Sequence, residues 1–308
     1  MLIAHIADIH WRGLTRHKEY KQVFIEFFSQ CREKNVETII IAGDIWHTKT
    51  QGISPEAIDM LAWFFAEAAS VCPTHIILGN HDMNCSNLSR QDALSPIIKS
   101  LNDDNLFLYK KSGVYPIKSK DNQTYNLCVF SCWDENSDAW QVVKPVEDQI
   151  NIALYHGCVW GAETDDGWQL NGEITTDFFK DYDFTFLGDI HKHQFLTEDK
   201  RIAYPGSTIP QNFGEHGAKG YLLWDIKDKD DFDVKFCELK ESYPFVTLDW
   251  QGDVKKTIDK ALMFKDGTRF RISSSVYLNQ VDIKQLVNEL KIKKCADQVV
   301  FKIDKEFN

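Results

Sequence analysis

The sequence lacks three features that would each indicate a particular class of protein. It has no stretch of about 18 consecutive apolar residues, which a transmembrane helix needs. Its eight cysteines include no CxxC pair, so they are predicted to be reduced, intracellular thiols rather than a disulfide framework. Lys and Arg number 35 against 46 Asp and Glu, and the resulting charge of −11 argues against DNA binding by phosphate neutralisation alone.

The amino terminus also lacks the pattern of a secretory signal. Met1 is followed by a short apolar run without a basic leader, and that run leads directly into Asp8 and His10. We therefore expect a soluble, cytoplasmic protein without a membrane interaction. At 308 residues, with 43% apolar and 26% charged residues, the chain has the size and composition of a large globular domain with a smaller one beside it.

Strand-like and helix-like segments alternate along the first half of the chain. Apolar, mostly β-branched runs at 2–7 and 38–42 flank the segment 20–31, whose apolar residues recur at helical spacing. This pattern predicts a β-α-β unit. Ser54, followed by proline and glutamate, predicts the capped start of a second helix, which continues through the apolar run 57–69.

Later segments are short and separated by turn residues, which is typical of strands. They lie at 75–78, 125–131, 152–155, 184–187, 220–224 and 232–238. Because this number of strands is high for one layer, residues 1–240 are predicted to form a four-layer α/β/β/α sandwich of the α/β class. Residues 241–308 are predicted to form a small α/β capping domain. Its expected elements are strands at 245–250, 268–272 and 298–303 and helices at 254–263 and 283–290.

Side chains that can bind metal follow five of the predicted strands at the point where each strand ends. They are Asp8 with His10, Asp44, Asn80 with His81 and Asp82, His156, and Asp189 with His191. A single residue of this kind is more often an Asx turn or a helix cap. Because α/β proteins place their sites at the carboxyl ends of strands, five occurrences together favour one shared metal site.

These residue types suit a pair of divalent ions. Two ions roughly 3.5–4 Å apart can bind a phosphate ester between them and activate water for in-line displacement. Asp44, which a flexible glycine precedes, is predicted to bridge the two ions. Asp8 and His10 lie on the same side of an extended segment and can bind one ion, while Asn80 and His156 add neutral ligands.

His81 directly follows the predicted ligand Asn80, but we predict a catalytic role for it and not metal binding. We predict that its imidazolium acts as a general acid or stabilises the transferring phosphate, with Asp82 fixing its tautomer. Further along the chain, two registers stay open: Asp189 and His191 are ligands, or His191 and His193 are ligands with Asp189 behind them. We favour the first register, because Asp189 directly follows the glycine that ends a predicted strand.

The segments DIH, GDIWH, GNHD, YHG and GDIHKH together resemble the signature of the calcineurin-like metallophosphoesterases over residues 1 to about 240. His47 and the stretch 204–226 are similar to the SbcD-type nuclease subunits, including the small subunits of tailed-phage recombination endonucleases. The resemblance implies manganese-dependent cleavage of DNA, as an exonuclease with endonuclease activity. The ligand sets that it implies are Asp8, His10, Asp44 and His191 for one ion and Asp44, Asn80, His156 and Asp189 for the other.

The same resemblance implies further roles and partners. His81 would stabilise the transition state, and His47 would help to place the DNA strand. The family pattern of G-H-x-H reads here as GDIH, so a third carboxylate, Asp189, favours two Mn²⁺ ions, with Mg²⁺ possible, over zinc. In the family the nuclease forms a homodimer and joins an SbcC-like coiled-coil ATPase in DNA recombination and repair.

Such a partner would supply the DNA affinity that an acidic chain lacks. The family commonly continues past the capping domain into helices that bind the ATPase. Here the sequence ends at Asn308, so that element is expected to be either short or outside these residues.

Two other functions stay open at this point. A phosphatase or nucleotide phosphodiesterase of the same superfamily would use the same ligands, because two-metal chemistry does not by itself select DNA. A non-enzymatic DNA-end or scaffold protein is the third candidate, although the full set of ligand types argues against it.

The remaining histidines and tryptophans have weaker signals. His5 and His75 are predicted to be core or edge histidines. Four tryptophans lie close in sequence to the site residues: Trp11, Trp46, Trp160 and Trp168. Each can stack on an unpaired base, but ordinary packing is the favoured interpretation for most of them.

Overall fold

The computed structural model describes residues 1–47, 53–134, 138–240, 243–294, 296 and 298–303. The chain divides into two compact units. The first combines Met1–Ile209 with Gly217–Lys240, and the second combines Pro210–His216 with Glu241–Asn308. The segment Pro210–His216 therefore clusters with the second unit, whereas the sequence places all of residues 1–240 in the first.

The first unit is built from twelve described strands. They are β1 (Leu2–Ile6), β2 (Thr38–Ala42), β3 (Thr74–Ile77), β4 (Leu106–Tyr109), β5 (Gly113–Lys118), β6 (Thr124–Phe130), β7 (Ile150–His156), β8 (Phe184–Gly188), β9 (Gln194–Phe195), β10 (Ile202–Tyr204), β11 (Gly220–Ile226) and β12 (Phe232–Glu238). They form two six-stranded sheets, ordered β12-β11-β1-β2-β3-β4 and β5-β6-β7-β8-β10-β9.

Both sheets have a parallel centre. Strands β1 to β4 run parallel, and β11 and β12 close the other side of this sheet with antiparallel pairings. In the second sheet β6, β7, β8 and β10 run parallel. The carboxyl ends of the parallel strands in each sheet therefore lie along one edge.

Three α-helices pack on the first sheet: α1 (His17–Glu33), α2 (Pro55–Val71) and α3 (Ser95–Leu101). The helix α2 begins at a predicted cap, because the Ser54 hydroxyl oxygen accepts a hydrogen bond from the Ala57 N–H at 3.2 Å. Every residue of β2, with sequence TIIIA, is buried. This fits a strand covered on both faces, which needs no polar alternation.

Alternate residues of the central strands enter two different hydrophobic cores. Ile39 and Ile41 join the aromatic residues of α1 and α2 in one core. Ile40 joins a second core with residues of the other sheet, such as Leu154 and Phe186. The second core therefore lies between the two sheets, and the period-two alternation of strand side chains supplies both cores.

The predicted α/β fold class, with two packed sheets and helices, is confirmed. The outer face of the second sheet carries its own core, which includes Phe130, Tyr155 and Phe179. In the described part of the chain this face is covered by loops and by two short 3₁₀ helices, Asp138–Val142 and Thr176–Phe179.

The second unit contains a three-stranded parallel sheet, ordered β13-β14-β15, and two helices. Its elements are β13 (Phe245–Asp249), α4 (Val254–Ala261), β14 (Arg269–Ser274), α5 (Gln280–Lys294) and β15 (Val299–Ile303). The alternation of strand and helix agrees with the sequence pattern, and the unit has its own core, to which Phe270, Ile272 and Leu286 belong.

Among the described helices, none has both the length and the apolar character that crossing a membrane requires. The seven cysteines within the described residues are free thiols.

Candidate metal centre

The predicted site residues meet at the carboxyl edges of the two sheets, where backbone groups connect the loops. The Asp8 N–H donates to the Gly43 carbonyl at 3.1 Å, and the His10 N–H donates to the Asp44 carbonyl at 3.0 Å. The Asp189 N–H from the second sheet donates to the Asp8 carboxylate, at 3.0 and 3.1 Å from its two oxygens. These bonds fix the loops after β1, β2 and β8 against one another.

Asp44 lies at the middle of the cluster and is 2% exposed. Its Oδ2 is 3.6 Å from His10 Nε2, and its Oδ1 is 3.3 Å from His156 Nε2. The same Oδ1 accepts a hydrogen bond from the His81 N–H at 2.8 Å. The two oxygens therefore face two different sets of ligand atoms, which is the arrangement that a bridging carboxylate requires.

The first ligand set contains Asp8, His10 and His191, whose candidate ligand atoms lie within 4.8 Å of one another. His10 Nε2 and His191 Nε2 are 2.8 Å apart. Burial lowers the pKa of His10 well below its usual value. A neutral imidazole is the form that coordinates a metal ion.

The second ligand set contains Asp44, His156, Asp189 and Asn80. Asp8, Asp44 and His156 also form a group with ligand atoms within 4.8 Å. Asp189 Oδ1 lies 3.7 Å from His156 Nε2 and 3.3 Å from the Asn80 side-chain nitrogen. The Asn80 amide can turn by 180° to present its oxygen, because oxygen and nitrogen occupy equivalent positions in this group.

His156 provides the clearest test of whether this donor set fits a cation. Its Nδ1 lies 2.7 Å from the Ala42 carbonyl and donates to it, which leaves Nε2 as the coordinating atom of a neutral ring. That Nε2 is buried, has no hydrogen-bond partner of good geometry, and faces carboxylate oxygens of Asp44 and Asp189. Without a metal ion, these carboxylates favour a proton on Nε2. A bound cation supplies the same positive charge in place of that proton, so the residues fit a bound cation.

The electrostatics of the buried carboxylates lead to the same conclusion. Asp8 is fully buried, and this burial, together with nearby Asp44, raises its pKa to about 7. Burial opposes ionisation of Asp44 as well, but neighbouring His156 and His10 hold its pKa well below the usual range. The same carboxylates raise the pKa of His156 well above its usual value despite burial. Buried carboxylates at this density need compensating positive charge, which divalent cations supply.

The backbone at the centre is strained at four of the proposed ligands. Asp8, His10, Asp44 and Asp189 have positive φ angles of 53°, 53°, 55° and 99°. The prediction that Asp8 and His10 lie on an extended segment is therefore wrong, because their backbone is in the left-handed region. Such angles are uncommon outside glycine and cost about 1–3 kcal/mol each, so they persist only where the surrounding structure imposes them. Strain of this kind clusters at functional sites.

Two glycines allow the loops to approach this closely. A Cβ on Gly79 would lie 2.1 Å from Asp44 Oδ1, and a Cβ on Gly43 would lie 2.5 Å from His156 Nδ1. Gly43 also has a φ of +88°. The prediction that a glycine before Asp44 permits the turn therefore has a second reason, since any side chain there would displace the His156 ring.

A family model described as calcineurin-like phosphoesterase matches residues 1–195. The chain belongs to this family. Proteins of the family are metal-dependent phosphoesterases with a dimetal centre, and the ligand groups described above are the candidate for that centre in this chain.

Individual proteins are similar to this chain to different degrees. An uncharacterized protein of Acanthamoeba polyphaga mimivirus is 36% identical over 97% of the chain, and the match covers 22% of that protein. A putative phosphoesterase of Invertebrate iridescent virus 6 is 26% identical over 67% of the chain and 71% of its own length. A dimetal phosphatase from Danio rerio aligns with 76% of this chain and 98% of its own, at 12% identity and a TM-score of 0.46. The chain thus spans about a fifth of the mimivirus relative.

The structure corrects the predicted partner of His81. His81 Nδ1 is hydrogen-bonded to the His47 carbonyl at 2.5 Å, and its Nε2 lies 4.0 Å from Asp44 Oδ2. Asp82 instead accepts hydrogen bonds from the Trp46 N–H at 2.7 Å and the Gly79 N–H at 2.9 Å. The prediction that Asp82 fixes the His81 tautomer is therefore wrong, because the carboxylate is buried and occupied by backbone donors.

His47 lies beside the candidate metal centre, where both its ring and its backbone carbonyl contact His81. Its ring stacks on His81 with centroids 6.2 Å apart, and its carbonyl orients the same residue. Burial and the nearby Arg12 lower the pKa of His47 to about 4, so the ring is neutral at neutral pH. The predicted contact of His47 with a DNA strand stays a prediction.

The two registers proposed around Asp189 are placed differently in space. Asp189 lies within the second ligand set, and His191 lies within the first. His193 Nδ1 is 3.1 Å from the Tyr204 carbonyl, and its ring stacks on Phe236 with centroids 4.4 Å apart. The geometry therefore favours Asp189 and His191 as the ligands over His191 and His193.

The four tryptophans near the site divide into two groups. Trp11 and Trp46 are buried, and both belong to the core beneath the helices. Trp160 and Trp168 are 54% and 75% exposed. Ordinary packing accounts for the first pair only.

Sequence reasoning missed the wall of a cavity beside the second ligand set. The cavity has a volume of about 870 Å³, and Asn80, His156 and Asp189 form part of its lining together with Trp133 and Trp140. The signal was present, since Ser131, Cys132 and Trp133 follow directly after the parallel strand β6. The carboxyl end of β6 is thus a sixth strand end from which residues at the site could have been predicted.

Proposed function

We propose that this phosphoesterase is a metal-dependent DNA nuclease, an exonuclease with endonuclease activity. The observation that carries the proposal is the position of Asp44, whose two oxygens face two separate ligand sets. A pair of divalent cations in such a site supplies the charge that binds a phosphate ester and activates water for in-line displacement.

The chain's own residues define which ions suit the site. Asp8, His10, Asp44 and His191 would hold one ion, and Asp44, Asn80, His156 and Asp189 would hold the other. Three carboxylates in this donor set favour hard ions, so we propose two Mn²⁺, with Mg²⁺ as the alternative.

His81 is the residue proposed to handle a proton. Its Nδ1 is committed to the His47 carbonyl, so the ring is oriented with Nε2 toward Asp44. A protonated ring would donate from Nε2 to a phosphate oxygen or to the leaving oxygen of the ester. The side chain is 37% exposed, which leaves access for a substrate.

Preference for DNA over small esters rests on the sequence likeness to SbcD-type subunits at His47 and 204–226. We propose that the nuclease acts as a homodimer with an SbcC-like coiled-coil ATPase in DNA recombination and repair. The net charge of −11 supports a partner that contributes DNA affinity. The mimivirus relative, of which the match covers 22%, places a similar domain in a much longer chain.

A substrate panel tests the proposal directly. The full chain is loaded with Mn²⁺ and given end-labelled linear DNA, closed circular single-stranded DNA and p-nitrophenyl phosphate. The expected result is release of nucleotides from linear DNA and cutting of the circle, both lost on metal chelation and in Asp44→Asn. Turnover of p-nitrophenyl phosphate alone would instead identify a phosphatase, and no turnover by metal-loaded protein would identify a scaffold.

A further inference from the structure

We infer that the cavity beside the second ligand set is a nucleobase pocket that receives the unpaired base next to the phosphate being cleaved. This inference rests on the proposed nuclease function and adds the form of its substrate. The substrate would be a single strand, or a duplex end from which one base has been unstacked. The reasons are the position, the walls and the charge of the cavity.

The position links the cavity to the reacting phosphate. Asn80, His156 and Asp189 belong to the second ligand set and also line the cavity. A group attached to a phosphate at the centre would therefore extend directly into this space. Its volume of about 870 Å³ lies within the range of roughly 300–1,000 Å³ that is typical of small-molecule pockets.

The walls are aromatic and apolar. Trp133, Trp140 and Tyr155 line the cavity, together with Leu88 and Ile174. Trp140 is fixed by a hydrogen bond from its indole N–H to the Ser131 carbonyl at 3.2 Å, and its ring packs edge-on against Tyr155. Flat aromatic surfaces next to a phosphate site suit the π-face of a base. Because every base has such a face, this stacking does not depend on the nucleotide sequence.

We infer that Trp133 is a stacking surface in this wall, because its surroundings hold it in place. The Lys110 ammonium lies over its ring at 4.5 Å from the centroid, and that ammonium is paired with Asp92 at 2.7 Å. The backbone N–H of Trp133 donates to the Ser131 hydroxyl at 3.1 Å, which fixes the start of this segment. A half-buried ring that is already ordered loses little conformational entropy when a base stacks on it.

The charge of the cavity excludes a track for the phosphate backbone. Its described lining residues include the carboxylates Asp134, Glu173 and Asp189 and neither Lys nor Arg. Asp134 is held by the Ser112 N–H at 3.0 Å and the Ser112 hydroxyl at 2.5 Å, whereas Glu173 is an exposed side chain on the wall. Carboxylates repel phosphates and accept hydrogen bonds from base amino groups, so this pocket suits a base.

The test compares intact and abasic DNA in the metal-loaded full chain. Single-stranded oligonucleotides carry one tetrahydrofuran abasic residue at each position in turn, and cleavage at every bond is mapped by gel electrophoresis. The expected result is that kcat/KM falls about tenfold or more at one bond flanking the abasic residue, which is the range for losing one stacked base. Trp133→Ala is expected to reduce cleavage of the intact strand to that of the abasic strand.

The matched control is Trp63→Ala. Trp63, on α2, is also half-buried beside the first core and has a lysine, Lys21, over its ring at 5.3 Å, but it does not line the cavity. This variant is expected to keep the preference for intact over abasic DNA. Trp133→Leu fills most of the same space without a π-face, and it is expected to lose the preference even if Trp133→Ala does not fold.

The outcomes separate this inference from the proposed function. Equal cleavage of intact and abasic bonds by the unaltered protein would overturn the base pocket and leave the nuclease in place. A preference that persists in Trp133→Ala or Trp133→Leu would also overturn it. No cleavage of intact DNA by the metal-loaded protein would overturn the nuclease proposal itself.

Discussion

Each of the two carboxylate oxygens of Asp44 faces a different ligand set. Changing Asp44 to Asn removes the shared negative charge and replaces one of the two oxygens with an amide nitrogen that cannot coordinate. We predict that Asp44→Asn loses at least one of two bound Mn²⁺ ions and that activity falls roughly 100-fold or more. Metal content by mass spectrometry and turnover of DNA check this.

Asp183→Asn is the control for this change. Asp183 accepts a hydrogen bond from the Asn151 N–H at 2.7 Å, in the second sheet, and an amide oxygen can keep that bond. This variant is expected to retain both metal and activity. Two tightly bound ions in Asp44→Asn would contradict the bridging role.

His81 has a different predicted phenotype, because it touches Asp44 without belonging to either proposed ligand set. His81→Ala is expected to retain its metal and to lose about 10²- to 10⁴-fold in kcat, the usual contribution of a general acid. The loss should be smaller for bis(p-nitrophenyl) phosphate, whose leaving group needs no proton. Metal-free His81→Ala protein would show that the ring is a ligand instead. An equal loss with both substrates would assign it to stabilising the phosphate.

At the scale of elements, the centre depends on how the loops after β2 and β3 are joined. Asp82 joins them through the Trp46 and Gly79 N–H groups, and it is 1% exposed. Burial, and next the nearby Asp44, raise the pKa of Asp82 to about 7. Its role is therefore to position the loop that carries Asn80 and His81.

We predict that Asp82→Ala lowers the free energy of unfolding by about 3 kcal/mol, because two buried backbone donors lose their acceptor. Asp82→Asn keeps one acceptor oxygen and should lose about half as much. Urea unfolding of metal-free protein measures both. If Asp82→Ala were as stable as the unaltered chain but changed the pH profile of kcat, the positioning role assigned here to Asp82 would be wrong, and its effect on the protonation of His81 would have to be direct.

At the scale of the whole molecule, buried histidines outside the centre predict how stability depends on pH. Burial lowers the pKa of His75 from 6.5 to about 4 and the pKa of His5 from 6.5 to about 3. His75 stacks on Phe107 with ring centroids 4.8 Å apart, and its Nδ1 is 2.8 Å from the Tyr109 hydroxyl. Both rings are therefore neutral in the folded protein, as the sequence prediction of core or edge histidines implies.

The sign follows from proton uptake by the unfolded chain. Below pH 6.5 the unfolded chain protonates these rings while the folded protein keeps them neutral, so stability falls with pH until the folded pKa values are reached. Between pH 7 and pH 5, His75 alone should account for about 2 kcal/mol of this loss. In metal-free protein, the free energy of unfolding of His75→Gln should fall by about 2 kcal/mol less between pH 7 and pH 5 than that of the unaltered chain. Parallel stability curves for the two proteins would refute the assignment.

Much of the architecture of the whole molecule could be predicted from the sequence. The second unit follows its predicted strand and helix order because each of its elements has a strong local pattern, such as the capped start of α4 at Asp253. By contrast, Pro210–His216 clusters with that unit although no local pattern marks it. Membership of a core depends on contacts between residues distant in sequence, and composition does not encode them.

The sequence by itself determined which side chains gather at the candidate centre, because parallel strands carry their last residues to one edge and each ligand followed a strand. It could not assign the partners of these side chains. Tertiary structure alone selects these partners. It places the Ala42 carbonyl against His156 and the His47 carbonyl against His81. It also stacks the ring of His193 on Phe236. Backbone carbonyls are identical at every position in the chain, so only the packing of two sheets selects which of them a histidine meets.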